Sequence, residues 1–152
     1  MVQGCDVLNE RYLITVQGTQ AVDGESETEE LTTTAEYTER GGKKLIKYRE
    51  YGTNETQADI VVTNLVKIDG DTVSLTKRVD GRTGQMIFEC GKRHQCMYAN
   101  EVGNLTLGIY TESLVDKLSA EGGTLEIDYT IDFNGGFESE NHILITLKKT
   151  EE

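Results

Sequence analysis

Residues 124–135 read TLEIDYTIDFNG, and their alternation decides the fold. Leu125, Ile127, Tyr129, Ile131 and Phe133 take every second position, separated by Glu126, Asp128, Thr130 and Asp132. Successive side chains of a strand point to opposite faces, so one row meets a core and the other meets water. Asn134-Gly135 then supplies two residues that tolerate positive φ, as a type I′ hairpin turn requires. The returning segment repeats the pattern, with Ile143, Ile145 and Leu147 on one side and His142, Thr146 and Lys148 on the other, although Leu144 interrupts it.

Working outward from this hairpin, the same grammar recurs. The chain has no proline and 16 glycines, so its tight turns are built from Gly with Asn or Asp. Asp23-Gly24, Gly41-Gly42, Asp69-Gly70, Asp80-Gly81, Gly91, Gly103 and Gly122-Gly123 punctuate β-branched and aromatic runs. Asp69-Gly70, between VKI and TVSL, predicts a second type I′ turn. About ten strands result. Thr111 to Glu121 departs from the pattern: Leu114 and Leu118 lie four apart, Ser113 is a candidate cap with Asp116 three residues on, and Gly122 a candidate stop. These signals predict one short helix near 111–120, a plug or crossover before the ninth strand.

Short strands, hairpin turns and no crossover helices predict an all-β fold, a closed antiparallel meander barrel that leaves no long free edges. A β-sandwich is the second choice, because the connections look too short for Greek-key crossings. Residues 1–11 read as a flexible N-terminal segment, with no role for Cys5, and 12–150 as a single barrel domain.

At 152 residues and 16.9 kDa the chain can bury roughly 69% of its unfolded surface, enough for one ordinary core. A net charge of -12 repels phosphate backbones and anionic lipid, which excludes nucleic acid and membrane as main partners. No apolar window is long enough for a membrane span and no secretory leader pattern is present, so the cytoplasm is the expected compartment. Three cysteines do not make a disulfide framework and suit a reducing environment.

LITVQGTQ, MIFECGKRHQCMYANEVGNLTLGIYTESL and GGTLEIDYTIDFNG resemble, in order and wording, the YwiB-like family of bacterial proteins of unknown function. The likeness runs from about Leu13 to Leu147. It implies a lipocalin-like, or calycin-type, β-barrel in a cytoplasmic bacterial protein, and it implies no reaction.

Candidate chemistry centres on residues 86–109, MIFECGKRHQCMYANEVGNLTLGI. Lys92, Arg93 and His94 form the one basic cluster in an acidic chain, suited to the carboxylate or phosphate of a small ligand whose apolar part enters the barrel. The plainer reading is that they neutralise Glu89 and Glu101. In KYREY, Tyr48 stands among Lys47, Arg49 and Glu50, which suggests either a polar-lined interior or an exposed edge strand. His94, Cys96 and Tyr98 share one face, with Cys90 close behind. Histidine and cysteine are zinc ligands, but this spacing is no zinc signature, and cysteine also packs as a small hydrophobe. No metal is assigned. A Cys-His nucleophile lacks an oxyanion hole and an orienting third residue, so no catalytic residue is assigned. Glu25, Glu27, Glu29 and Glu30 lack a calcium loop and read as a solvated or edge-blunting run.

The favoured function is a non-enzymatic barrel that binds a small, partly apolar ligand, anionic if the basic cluster holds it, through Lys92, Arg93, His94 and Tyr48, with no cofactor. The alternative is a structural or interaction module that self-associates, as a homodimer, through an outer sheet face or a strand edge. A Cys/His-dependent enzyme or metal site comes third.

Overall fold

The computed structural model describes residues 11–53, 57–100, 103–133 and 136–150. They form ten strands: β1 (Arg11–Val22), β2 (Glu25–Arg40), β3 (Lys43–Thr53), β4 (Asp59–Asp69), β5 (Thr72–Val79), β6 (Arg82–Glu89), β7 (Arg93–Asn100), β8 (Gly103–Ser119), β9 (Gly122–Phe133) and β10 (Phe137–Lys149). Their hydrogen-bonded order is β6-β5-β4-β3-β2-β1-β10-β9-β8-β7 in one sheet. Every step joins strands adjacent in sequence except β1 to β10, which pairs the first strand with the last. β6 and β7 share no ladder and meet through side chains, so the barrel is nearly closed. The predicted antiparallel meander barrel is therefore the observed fold, and the sandwich is not.

The turn chemistry accounts for most of this order. Asp23-Gly24, Gly41-Gly42 and Asp80-Gly81 hold both residues at positive φ and join Val22 to Glu25, Arg40 to Lys43 and Val79 to Arg82, as type I′ hairpins do. The turn expected at Asp69-Gly70 falls one residue later. Asp69 pairs with Thr72, which leaves Gly70-Asp71 as the loop, with φ 62° at Gly70 and no positive φ at Asp71. Glycine at the first central position belongs to a type II′ turn, which matches hairpin twist as well as type I′ does. The Asn134-Gly135 turn, Glu101 and Val102 beside Gly103, and residues 1–10 with Cys5 lie outside the described residues.

The expected helix at 111–120 is a strand. β8 runs unbroken from Gly103 to Ser119, and its register against β9 slips between Thr111↔Tyr129 and Ser113↔Asp128. Glu112 is the extra residue of this β-bulge. The slip moves the inward row from Leu107, Ile109 and Thr111 to Leu114, Asp116 and Leu118. A spacing of four places residues on one face of a strand as well as of a helix, so Leu114 and Leu118 fit both. The polar residues read as helix caps are used elsewhere: Ser113 Oγ donates to Asp128 Oδ2 at 2.9 Å and Asp116 Oδ1 accepts from the Leu118 amide at 3.0 Å.

Because the strands alternate in direction, the β2–β3, β4–β5, β6–β7 and β8–β9 turns gather at one end, the floor, and the remaining turns at the other, the rim. The floor is filled. Ile46, Val66, Leu118, Leu125, Ile145 and Leu147 are buried there, and Tyr12 stacks edge-on against Tyr37 with centroids 5.5 Å apart. Tyr12 Oη donates to the Ala120 carbonyl at 2.8 Å, and Lys44 Nζ donates to Asp116 Oδ2 at 2.9 Å and to the Leu118 carbonyl at 2.7 Å. These bonds tie β1 and β3 to the far end of β8, so a strand fills the plugging position expected of a helix.

The rim is built differently. β2 begins at Glu25 and β3 reaches Thr53, yet their pairing spans only Ala35↔Tyr48 to Arg40↔Lys43. Beyond that point β2 stays paired with β1 alone. Glu25, Glu27 and Glu29 fall on the inward row of β2, and a carboxylate without a partner cannot be drawn into a closed wall. They remain exposed, and the wall parts.

Candidate functional site

The inward rows change character between floor and rim. On β4 the row Ile60, Val62, Asn64, Val66, Ile68 contains one amide, and Asn64 is 4% exposed. Its Nδ2 donates to Glu50 Oε2 at 2.8 Å, and Lys77 Nζ stands 3.7 Å from the same oxygen. Glu50, on the inward row of β3, thus satisfies the buried amide and is itself neutralised from β5. On β10 the row runs Ser139, Asn141, Ile143, Ile145, Leu147. Ser139 and Asn141 are buried; Asn141 Nδ2 donates to Ser139 Oγ at 3.0 Å, and Gln20 Nε2 on β1 donates to the same hydroxyl at 3.3 Å.

Beside each of these two polar groups stands a phenol. Tyr48 pairs with Asn64 across β3–β4 and Tyr129 with Asn141 across β9–β10, and both side chains are buried. Burial pushes both phenols up, Tyr129 to about 12, and the Glu50 charge adds to the shift at Tyr48. They therefore stay protonated and able to donate across the physiological range. Among the described residues neither hydroxyl makes a hydrogen bond. Tyr129 is fixed by Phe88, edge-on at 4.8 Å. Thr111, opposite Tyr129, is fully buried and its Oγ1 has no partner among the described residues.

The residues expected to bind ligand separate into three places. Tyr48 faces the interior. Lys92 and His94 sit at the floor turn, on the two oxygens of Glu89, with Lys92 Nζ to Oε2 at 3.1 Å and His94 Nε2 to Oε1 at 3.0 Å. The His94 bond and then the Lys92 bond hold the Glu89 carboxyl below its usual range. Arg93 points outward. Its guanidinium crosses Gly108, where a Cβ would collide with it, and grips Asp132 with Nε to Oδ2 at 3.0 Å and Nη2 to Oδ1 at 2.7 Å.

The cysteines serve the β6–β7 seam. Cys96 is 5% exposed, its Sγ accepts from the Ile87 amide at 3.3 Å, and burial pushes its thiol up. A sulfur thus takes the place of a ladder carbonyl. Cys90 Sγ points to the Glu112 carbonyl at 3.5 Å. His94, Cys90 and Cys96 therefore turn to different partners. On the outer wall His142 Nδ1 meets Asp128 Oδ1 at 2.7 Å and Nε2 meets Glu126 Oε2 at 3.2 Å, and the His142 bond is the main cause of a lowered Asp128 pKa. Ser113 bonds to Asp128 rather than to the imidazole, and the lowered pKa of that carboxyl makes it a weak base for the hydroxyl.

Sequence reasoning passed over Asn64, Ser139 and Asn141. The signal for all three is a polar residue occupying the inward phase of an otherwise apolar row.

Fold and interior together define a ten-stranded antiparallel barrel with an apolar floor and a polar upper interior. The chain belongs to the family described as a domain of unknown function, DUF1934, whose family model matches residues 14–145. The resemblance to YwiB-like proteins stands: the crystal structure of the ywiB protein from Bacillus subtilis superposes with a TM-score of 0.79 at 21% identity, covering 93% of each chain. No curated protein matches the chain. Among the described residues, no helix is long and apolar enough to cross a membrane.

Proposed function

We propose that this protein is a non-enzymatic, lipocalin-like barrel of the cytoplasm that takes a small, partly apolar ligand through the rim. The observation that carries the reading is the pair of inward phenols, Tyr48 and Tyr129, protonated and without hydrogen-bond partners among the described residues, each beside a polar group, Asn64–Glu50 and Ser139–Asn141 respectively. A phenol that faces inward and bonds to nothing in the fold is available to a ligand. Barrel diameter grows with strand number, and eight strands already hold one small ligand in lipocalins, so a ten-stranded barrel is wide enough for one above a filled floor. An apolar ligand body would rest on Ile131 and Val62, with its polar group between the tyrosines. Lys92, Arg93 and His94 would meet an anionic group only by releasing Glu89 and Asp132, so their replacement by alanine should change binding less than Tyr48→Phe.

Native mass spectrometry of gently purified protein, followed by thermal shift with medium-chain fatty acids and alcohols, tests this. A retained adduct and a raised Tm, both weakened in Tyr48→Phe, are expected. A protein that retains nothing and responds to none of these probes removes the proposal. One observation favours a second reading, self-association through an outer face: Tyr51, 75% exposed, and Val61, 44% exposed, stand directly opposite on the outside of β3–β4. Sedimentation as a monomer at high concentration would count against it.

A further inference from the structure

We propose that the free edge of β2, residues 25–34, accepts an extended basic segment of another protein as an additional strand. The edge is preformed. β1 holds β2 in unbroken antiparallel register to Val22↔Glu25, and on the outer face Thr15 and Thr32, and Thr19 and Thr28, join hydroxyls at 3.2 and 3.1 Å. On its other side this stretch has no ladder among the described residues, because pairing with β3 stops at Ala35↔Tyr48. A row of unpaired N–H and C=O groups on a regular strand is a template for strand addition.

Charge selects the occupant. Glu25, Glu27 and Glu29 repeat every second residue on one face, Glu30 lies on the other, and none forms an ion pair among the described residues. Opposite them β1 offers Val22, Gln20, Gly18 and Gln17, none of them a cation. A second copy of this edge would set glutamates against glutamates, which is destabilising at directly opposed positions. Residues 1–10, MVQGCDVLNE, contain no lysine or arginine and do not match it either. A strand with Lys or Arg at alternate positions sets each cation across from a carboxylate while its backbone completes the ladder. Glutamates on an edge also serve simply to repel strand addition, and the experiment separates the two roles.

Two seven-residue peptides of identical composition, one alternating Thr and Lys and one with its Lys contiguous, are titrated against the full chain by fluorescence anisotropy, with amide exchange followed over residues 25–34. The alternating peptide should bind roughly tenfold more tightly than the block peptide and slow exchange at alternate amides of β2, and E25Q/E27Q/E29Q should weaken it roughly tenfold. Circular dichroism verifies that this surface variant folds. Equal binding of both peptides, binding without amide protection, or no binding overturns the proposal. So does protection that rises with protein concentration in the absence of peptide, which would make a second copy the occupant.

Discussion

Floor and rim are made from the same ten strands and the same alternation, yet one end is sealed and the other parts. The difference lies in a few inward positions. At the floor these are Ile46, Leu118, Leu125 and Leu147, and an inward cation, Lys44, has a carboxylate and a carbonyl at hydrogen-bond distance. At the rim they are Glu50 on β3, which Asn64 and Lys77 satisfy, and Glu25, Glu27 and Glu29 on β2, which no closed wall can bury without partners. Period-two alternation sets which residues face inward; the chemistry of those residues sets whether the wall closes over them.

The sharpest way to break this comparison is a matched pair of truncations. Leu125→Ala removes a fully buried floor side chain and should cost about 2–5 kcal/mol in urea unfolding. Leu31→Ala, partly buried on the part of β2 that no longer pairs with β3, should cost less than half as much, since less surface is lost from a site that water already reaches. Equal losses would mean that the rim is packed as tightly as the floor.

A matched pair of charge deletions is the next test. Lys44→Met strands Asp116 and the Leu118 carbonyl at the floor and should cost about 1–3 kcal/mol. Lys77→Met breaks a longer, more exposed contact with Glu50 at 3.7 Å and should cost at most about 1 kcal/mol. A larger loss at Lys77 would reverse the assignment of which end holds the barrel together.

The strands, their direction and their inward rows were legible because Asp-Gly and Gly-Gly turns and strict alternation act locally. The error at 111–120 has a local cause too. A bulge at Glu112 shifts the phase by one, and the resulting Leu114–Leu118 interval is shared by helix and strand. What no local signal reports is which strands part. Glu25, Glu27 and Glu29 were visible as an acidic run, but their inward phase counts only once β3 is known to end its pairing at Tyr48. Of the four residues expected to bind ligand, Tyr48, marked by the mixed character of KYREY, faces the interior; Lys92, Arg93 and His94, marked by their charge, meet the carboxylates of Glu89 and Asp132, which lie 3 to 39 residues away and so leave no local signal.

Acid should reach the floor corner at Glu89 with a definite sign. Its folded pKa is lowered from 4.5 by His94 and Lys92, so the native state binds fewer protons than the unfolded chain. The bonds then contribute stability above pH 4.5, and that contribution is lost as pH falls through the lowered folded value. Carbon-detected NMR titration should show the Glu89 carboxyl returning toward the usual range in His94→Gln. An unchanged midpoint would mean that Lys92 alone sets it. The effect on stability is small, because Lys92 stands largely in solvent and screened pairs contribute little.

The smallest expected change sharpens the comparison most. Tyr48→Phe deletes one oxygen from a side chain that is 6% exposed. A buried phenol bonded within the fold loses about 1 kcal/mol or more on this change, because its partner is left unsatisfied. The Tyr48 hydroxyl has no such partner among the described residues, so the midpoint of unfolding should move by less than about 0.5 kcal/mol in either direction. The matched control is Tyr12→Phe at the floor, where the hydroxyl bonds to the Ala120 carbonyl at 2.8 Å and should be missed by about 1 kcal/mol. A near-silent Tyr48→Phe beside a costly Tyr12→Phe identifies the floor phenol as part of the structure and the upper one as free to serve a ligand. If Tyr48→Phe proves as costly as Tyr12→Phe, its hydroxyl is already engaged within the fold, and the contrast between the two ends loses its functional meaning.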